Sequence, residues 1–355
     1  GKRLGAGHSK EWQKQWHNNG AILKTRIETP KDTYTEDYPQ ATASAKEQTR
    51  IIWFAEELGV EKDEGDIRTK CTEGERHGIT TVLKLFTQYE LMLGGEEFWG
   101  GKVMKMFPRP EIQRMAATFS FIELGVHAPF YSLINEALGI ATDEFYSSWK
   151  GNQVLADRMA FIDRYASADD PLEATAAFAF MEGVVLFSNF AFLKSFNVGG
   201  FNLIPHITAG IDASSKDENL HSMASAWLFR QCLQERKQLG LVNELQEFIL
   251  EDDVFSIARE VYEHERAICK LIFEKGGVRT VTEEEVLHFI RNRIDVVLNY
   301  LGYLPLFGDY DGTVSDWFYS QLNSFKYSDF FSATQIQYVR NWRKQDLKFE
   351  TELVV

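Results

Sequence analysis

One segment restricts the fold of this chain more than any other, the run ATAAFAFMEGVVLFSNFAFL at positions 174–193. It contains a single charged side chain, Glu182, with apolar residues in every helical direction around it. A helix that is apolar on all sides belongs in the centre of a large bundle or in a membrane. Twenty residues would just span a bilayer, but Glu182, Ser188 and Asn189 make insertion costly. We therefore expect a central core helix and no membrane association.

The rest of the sequence has the pattern of long helices. Only eight of its 355 residues are proline, so long stretches lack the residue that interrupts helices. No apolar–polar alternation is long enough to predict a sheet. These features predict an all-α domain over residues 41–325, with an N-terminal arm (1–40) and a flexible C-terminal tail (326–355). The expected helices cover about 41–58, 74–93, 111–138, 142–166, 171–195, 200–213, 214–239, 242–275 and 282–302.

Charge and cysteine content exclude several classes of partner and site. With 38 lysine and arginine residues against 52 aspartate and glutamate residues, the formal net charge is −14, which repels nucleic acid and anionic membranes. Cys71, Cys232 and Cys269 form no CxxC pair. They argue against a disulfide framework or a thiolate zinc site. Since the N-terminal sequence also lacks the apolar core of a signal peptide, we expect a cytoplasmic location.

Glu182 is the first candidate site residue, because an isolated buried carboxylate is too costly to remain ionised. It is either hydrogen-bonded to a neighbouring helix or bound to a metal, and alone it does not decide between the two. Glu218 and His221 lie three residues apart, so on a helix both can reach the same point. Such pairs also occur by chance in many helices.

Two further helices carry candidates of the same kind. Glu123 and His127 are four residues apart among apolar neighbours, which fits either a half-buried hydrogen bond or a pair of ligands. Glu90 lies within VLKLFTQYELML without an adjacent basic residue. Taken alone, Glu90 is better explained as a surface or helix-end charge.

As a set, these residues predict a dinuclear metal site. Four carboxylates and two imidazoles from four helices are the ligands of the carboxylate-bridged di-iron or di-manganese site in a ferritin-like bundle. Oxygen and imidazole donors suit iron and manganese, and no thiolate favours zinc. The candidate ligands are Glu90, Glu123, His127, Glu182, Glu218 and His221.

At this point the sequence resembles the small, radical-generating subunit of class I ribonucleotide reductase. The similarity extends from about Ala41 to the C-terminus and rests on motifs in the order of that family: WFAEE (53–57), the helix from Glu75 to Glu90, VHAPFY (126–131), MEGVVLFS (181–188), KDENLH (216–221) and SDFF...QYVR (328–340). The resemblance implies a ferritin-like helical bundle. It also implies two metal ions per chain on the six ligands, with iron as first choice and a Mn/Mn or Mn/Fe pair left open.

The resemblance further implies a path for the radical. Tyr131, four residues after His127, matches the aromatic residue that bears the radical, and Leu186 and Phe190 are candidates for an apolar shell around it. Trp53, Asp217 and His127 match a relay toward a separate large catalytic subunit.

The C-terminal residues match the end of that path. Tyr338 matches the tyrosine that passes the radical onward, and the last residues, LKFETELVV, resemble a peptide that docks on the large subunit. The family also implies a homodimer, and whether an activase is needed stays open.

One departure concerns the first Glu/His pair. The family usually has Glu-x-x-His, whereas this chain has one additional residue between Glu123 and His127. Gly125 therefore marks a local π-bulge, a distortion frequent at functional sites. The alternative is that Glu123 points elsewhere and the site has five protein ligands.

The function implied is that of the small subunit of a ribonucleoside-diphosphate reductase, which stores a radical on Tyr131 for the large subunit. A ferritin-like dimetal oxidase or hydroxylase would use the same six ligands without a large subunit. In a third interpretation, a non-catalytic helical scaffold, the buried glutamates and histidines only pair with one another.

Overall fold

The computed structural model describes residues 24–309 and 312–324, within which every regular element is a helix, as the sequence predicts. The main helices are α1 (Pro39–Arg50), α2 (Glu73–Gly94), α3 (Lys102–Met106), α4 (Pro110–Ile122), α5 (Ala128–Ala137), α6 (Asp143–Ser147), α7 (Gln153–Ala166), α8 (Pro171–Gly183), α9 (Phe187–Ser195), α10 (Pro205–Gln238), α11 (Glu244–Phe273), α12 (Glu283–Leu301) and α13 (Gly312–Ser324). Short 3₁₀ or π turns cover Ala55–Glu57, Val60–Asp63, Asp66–Lys70, Glu123–His127 and Ser148–Gly151.

The apolar run lies at the centre of the protein, as expected. Every residue from 174 to 196 is buried. Pro171–Ser195 is long and apolar enough to cross a membrane by length and composition, but its whole apolar window is enclosed by the protein. The segment is therefore a core element, and α8 packs extensively against α10.

The expectation of one continuous helix over 171–195 is wrong. The chain leaves α8 after Gly183, and Leu186 adopts a left-handed conformation with φ 72° before α9 begins. Because Gly183 has no side chain, α10 and α12 approach α8 closely at this point. A Cβ atom there would lie 2.4 Å from Ser222 Oγ and 2.5 Å from Val297 Cγ2.

Three other helix predictions need correction. The helix expected over 41–58 ends at Arg50, and the chain is extended at Phe54. The segments 200–213 and 214–239 form one helix, α10, because no proline or glycine separates them. The segment 142–166 divides into α6, a 3₁₀ turn and α7, and the side chain of Asn152 caps α7.

Four parts of the bundle converge on the candidate ligands. Helix α2 packs against α5 and against the π turn that joins α4 to α5, while α8 and α10 lie side by side. Helix α1 packs on α4 and also contacts α10. The six ligands predicted on these elements consequently face a common interior.

Candidate metal centre

The six predicted ligands meet in one buried site. Their ligand atoms form two groups of four, and within each group all the atoms lie within 4.8 Å of one another. Glu123 and Glu218 belong to both groups, so each is placed to bridge two ions. One group adds Glu90 and His127, and the other adds Glu182 and His221.

The additional residue between Glu123 and His127 is accommodated by a π turn, which confirms the prediction of a π-bulge. The amide of Ala128 donates to the carbonyl of Glu123, five residues earlier. Both side chains therefore face inward, and His127 Nδ1 lies 3.3 Å from Glu123 Oε2. The alternative in which Glu123 points away from the site is wrong.

Gly94, at the end of α2, allows this turn to approach. A Cβ atom there would lie 2.6 Å from the Cβ of Glu123 and 2.9 Å from the Cγ of Leu124. The glycine therefore lets α2 pack directly on the segment that carries Glu123.

Both histidines present Nδ1 to the carboxylates. His221 Nδ1 lies 2.6 Å from Glu123 Oε1, and His127 Nδ1 lies 3.3 Å from Glu218 Oε1. The other ring nitrogen of each, Nε2, is held from outside the site. An outer partner that accepts from one nitrogen leaves the lone pair of the other free for a metal.

The outer partners are linked to each other. His127 Nε2 lies 2.8 Å from Asp217 Oδ2, and His221 Nε2 lies 2.7 Å from Gln48 Oε1. The amide nitrogen of Gln48 donates to Asp217 Oδ1 at 2.8 Å. Because the Gln48 amide is thus oriented, its oxygen accepts from His221. Each histidine is therefore placed to donate from Nε2.

Trp53 completes this network as the sequence predicted. Its indole N–H donates to Asp217 Oδ2 at 2.8 Å, and its ring centroid lies 6.0 Å from that of His127. All three residues are buried. The chain Trp53–Asp217–His127 is thus continuous in space, and its role in radical transfer remains a prediction.

The shifted pKa values of the clustered side chains are those expected of a site for metal ions. Burial, reinforced by the charge of Glu123, raises the pKa of Glu90 and that of Glu218 well above the usual range. Burial opposes protonation of His221, but its contact with Glu123 raises the imidazole pKa to about 9. Without metal the cluster therefore retains protons that two cations would displace.

Carboxylate oxygens without hydrogen-bond partners also indicate a metal site. Both carboxylate oxygens of Glu90 and of Glu218, and Oε2 of Glu182, are buried without a hydrogen-bond partner among residues 24–309 and 312–324. Such atoms are costly unless something binds them. Six oxygen and nitrogen donors without thiolate form a dimetal carboxylate site suited to iron or manganese.

Tyr131 is fully buried beside this site. Its ring stacks on Phe86 with centroids 4.1 Å apart and planes inclined by 7°, and Phe86 in turn contacts Phe190 at 5.9 Å. Its hydroxyl has no hydrogen-bond partner within the described chain. Burial and the charge of Glu90 raise the pKa of this phenol well above its usual range, against the opposing charge of His127.

Sequence reasoning missed three residues that support the site. Gln48 holds His221, Phe86 covers the ring of Tyr131, and Trp99 donates its indole N–H to Glu182 Oε1 at 2.8 Å. The only signal in the sequence was Trp99, an aromatic residue in the polar, glycine-rich segment GGEEFWGG. Tyr338 and the predicted docking peptide lie outside the described residues.

Comparisons with known proteins identify the family of the chain. The family model described as ribonucleotide reductase, small chain, matches residues 31–313. A probable ribonucleoside-diphosphate reductase small subunit of Invertebrate iridescent virus 3 is 26% identical over 348 residues, covering 92% of this chain and 89% of the relative. The ribonucleoside-diphosphate reductase 2 subunit beta of Escherichia coli K12 is 26% identical over 234 residues, 65% of this chain and 69% of the relative.

Solved structures share the fold. The dimanganese(II)-NrdF of Streptococcus sanguinis has a TM-score of 0.68 at 19% identity, covering 79% of this chain and 94% of the other. The ribonucleotide reductase R2 subunit of Clostridium botulinum has a TM-score of 0.70 at 18% identity, covering 86% of this chain and 96% of the other.

Proposed function

The chain belongs to the ribonucleotide reductase small-chain family, and from this premise we propose that it is the small subunit of a ribonucleoside-diphosphate reductase. In this role it generates a radical and passes it to a separate large subunit that reduces ribonucleotides. One observation carries the proposal. A site for two metal ions, in which Glu123 and Glu218 are shared, is connected to a buried tryptophan through His127 and Asp217.

We assign the six predicted ligands to two metal ions per chain, with iron as first choice and manganese or a mixed pair as the alternatives. When bound, these ions supply the one-electron oxidising power that follows their reaction with oxygen or a reduced oxygen species. The protein provides the geometry. Gln48 and Asp217 hold the imidazoles with Nδ1 inward, and Trp99 orients Glu182.

Tyr131 is the residue to which we assign radical storage. The ions held by the six ligands would supply the oxidant that removes one electron from this phenol, and its hydroxyl proton would pass to a base of the site, which would leave a neutral radical. Stacking on Phe86 and complete burial keep water and external reductants away from the ring.

The relay and the partner contacts are the remaining parts of the proposal. Trp53 is the outer end of the relay from the centre through His127 and Asp217, and Tyr338 would continue the path to the large subunit. The final residues LKFETELVV would dock on that subunit through the apolar side chains of Phe349, Leu353 and Val354. We also propose a homodimer and a cytoplasmic location.

A dimetal oxidase that acts alone is the second candidate, because it would use the same six ligands. It has no need of the hydrogen-bonded chain from His127 through Asp217 to Trp53. That chain is the reason for preferring the reductase.

Electron paramagnetic resonance of the metal-loaded, oxygen-treated protein tests the storage step. We expect a tyrosyl signal in the unaltered protein and in Tyr89→Phe, and no such signal in Tyr131→Phe. Tyr89 is the matched control because it is also buried near the site, but its hydroxyl donates to the carbonyl of Met181. A Tyr131→Phe protein that keeps the same signal contradicts the assignment.

A truncation distinguishes the reductase from the oxidase. Removing residues 339–355 should abolish activity with the large subunit while the chain still binds two metal ions. Full substrate turnover by the truncated chain without any large subunit would favour the oxidase.

A further inference from the structure

An acidic groove lies at the junction of α11 with the end of α12. None of its residues takes part in the function proposed above. Its volume is about 380 Å³, and it is lined by Glu244, Glu247, Phe248, Glu251, Tyr303 and Leu304. The three glutamates recur at helical spacing along α11, which places them on one face. The acidic groove thus combines an apolar floor with a row of negative charges.

The acidic groove has the properties of an incomplete interface. Phe248 is 67% exposed and Leu304 55% exposed, although large apolar side chains that lie together at a surface usually have a partner. The hydroxyl of Tyr303 is buried without a hydrogen-bond partner in the described chain. The charges of Glu251 and Glu247 both act on this phenol. A ligand with apolar and cationic groups would satisfy all of these side chains.

The first described residues of the chain are fixed beside this groove. The amide of Ile27 donates to Glu235 Oε1 at 2.9 Å, and Arg236 binds Glu28 at 2.7 Å. In the same helical turn, Lys237 reaches Glu247 of the acidic groove at 2.8 Å. Ile27 and Glu28 therefore contact the same turn of α10 that contacts the groove, and an extended chain spans about 3.3–3.6 Å per residue, so 23 residues are long enough to reach it.

The sequence of residues 1–23 complements the groove. It has four lysine and arginine residues against one glutamate, and the stretch KEWQKQW (10–16) places two lysines and two tryptophans within seven residues. Tryptophan is a preferred anchor in interfaces, and opposite charges give such a contact its orientation. We propose that residues 1–23 of the same chain bind in the acidic groove, with Trp12 or Trp16 against Phe248 and Leu304 and the lysines against the glutamates.

The other end of the chain is a poorer occupant. The last residues, FETELVV, carry two glutamates and no cation, so the three glutamates of the acidic groove would repel them. They are also the residues assigned above to the large subunit. The proposal therefore commits to the N-terminal segment.

Site-specific photo-cross-linking in the full-length protein tests the proposal. Phe248 is replaced by p-benzoylphenylalanine, and the cross-linked peptides are identified by mass spectrometry. Phe121, which is 49% exposed on α4, is the matched control position. Mixing ¹⁴N- and ¹⁵N-labelled protein before irradiation distinguishes links within one chain from links between copies. We expect links from position 248 to residues 10–16 of the same chain, and none from position 121.

Charge reversal and anchor removal extend the test. The variant Glu247→Lys/Glu251→Lys should lower the yield of these links about tenfold, equivalent to about 1.4 kcal/mol. Trp12→Ser/Trp16→Ser should lower it similarly, whereas Asn18→Ser/Asn19→Ser should not. Unchanged melting temperatures confirm that the variants are folded. The proposal is overturned by links from position 248 only to residues 325–355, by links only between copies, by equal yields at the two positions, or by a yield that charge reversal leaves unchanged.

Discussion

Replacing Gln48 by leucine should show how strongly the metal centre depends on a residue that no metal would touch. Gln48 accepts from His221 at 2.7 Å and donates to Asp217 at 2.8 Å, and it is fully buried. Leucine has a similar volume, so no large cavity forms. The substitution leaves one buried N–H and one buried carboxylate oxygen without partners, at about 1–3 kcal/mol each. The expected loss of stability without metal is therefore about 2–6 kcal/mol.

This loss should be measurable in two ways. Scanning calorimetry of the metal-free protein should show a melting temperature lower by about 4–24 °C, since 1 kcal/mol corresponds to about 2–4 °C in large domains. Because the ring of His221 is no longer held, manganese(II) affinity at that half of the site should fall about 10–100-fold. Free manganese(II), counted by its paramagnetic resonance signal, gives that affinity.

A matched control separates the hydrogen bonds from the change of residue type. Gln113 is exposed on α4, and Gln113→Leu should alter neither the melting temperature nor the affinity. If Gln48→Leu matches this control in both measurements, the network does not orient the histidine and the reasoning is wrong.

Three further predictions concern packing, pH and metal loading. Gly94→Ala should lower the free energy of unfolding by about 1–3 kcal/mol and lower the manganese(II) affinity, because its methyl group would meet the Cβ of Glu123 at 2.6 Å. Gly151→Ala has open space around it and should change neither the stability nor the affinity. Burial and two neighbouring aspartates raise the pKa of Glu173 to about 7. Protonated Glu173 therefore contributes its full stability below the ordinary pKa of 4.5, and the protein loses this contribution as the pH rises through about 7. Glu173→Gln should therefore melt higher than the unaltered protein at pH 8 and equally at pH 4, and an equal difference at both pH values would contradict this. Anaerobic iron(II) or manganese(II) at 100 times Kd should stabilise the protein by about 2.7 kcal/mol per site, with two equivalents bound and reversal by chelator; saturation at one equivalent would exclude a dinuclear site.

The sequence predicted most of the side chains that meet in the cluster because their spacing is local. Glu218 and His221 are brought together by helical spacing alone, and the position of Glu182 follows from the apolar run around it. Counting residues from both sides of Gly125 even predicted the π turn that the structure contains. These inferences need only one helix at a time.

What the sequence did not predict depends on how helices cross. Gln48 is an ordinary glutamine on α1 until α10 brings His221 within 2.7 Å of it. Phe86 is one of 27 phenylalanines, and only the packing of α2 on α5 stacks it on Tyr131. The break at Leu186 is likewise difficult to predict, because the segment 174–193 contains no proline and Gly183, where α8 ends, is its only glycine.

The indole of Trp99 makes the two halves of the centre chemically inequivalent. It takes up one lone pair of Glu182 at 2.8 Å, whereas both oxygens of Glu90 are without hydrogen bonds in the described residues. Glu90 would therefore donate more charge to a bound ion than Glu182 would. Glu90 is also the carboxylate whose charge acts most strongly on Tyr131. Two different ions would consequently prefer different halves of the centre. The single N–H donor of Trp99 would decide which ion occupies the half whose carboxylate acts on Tyr131.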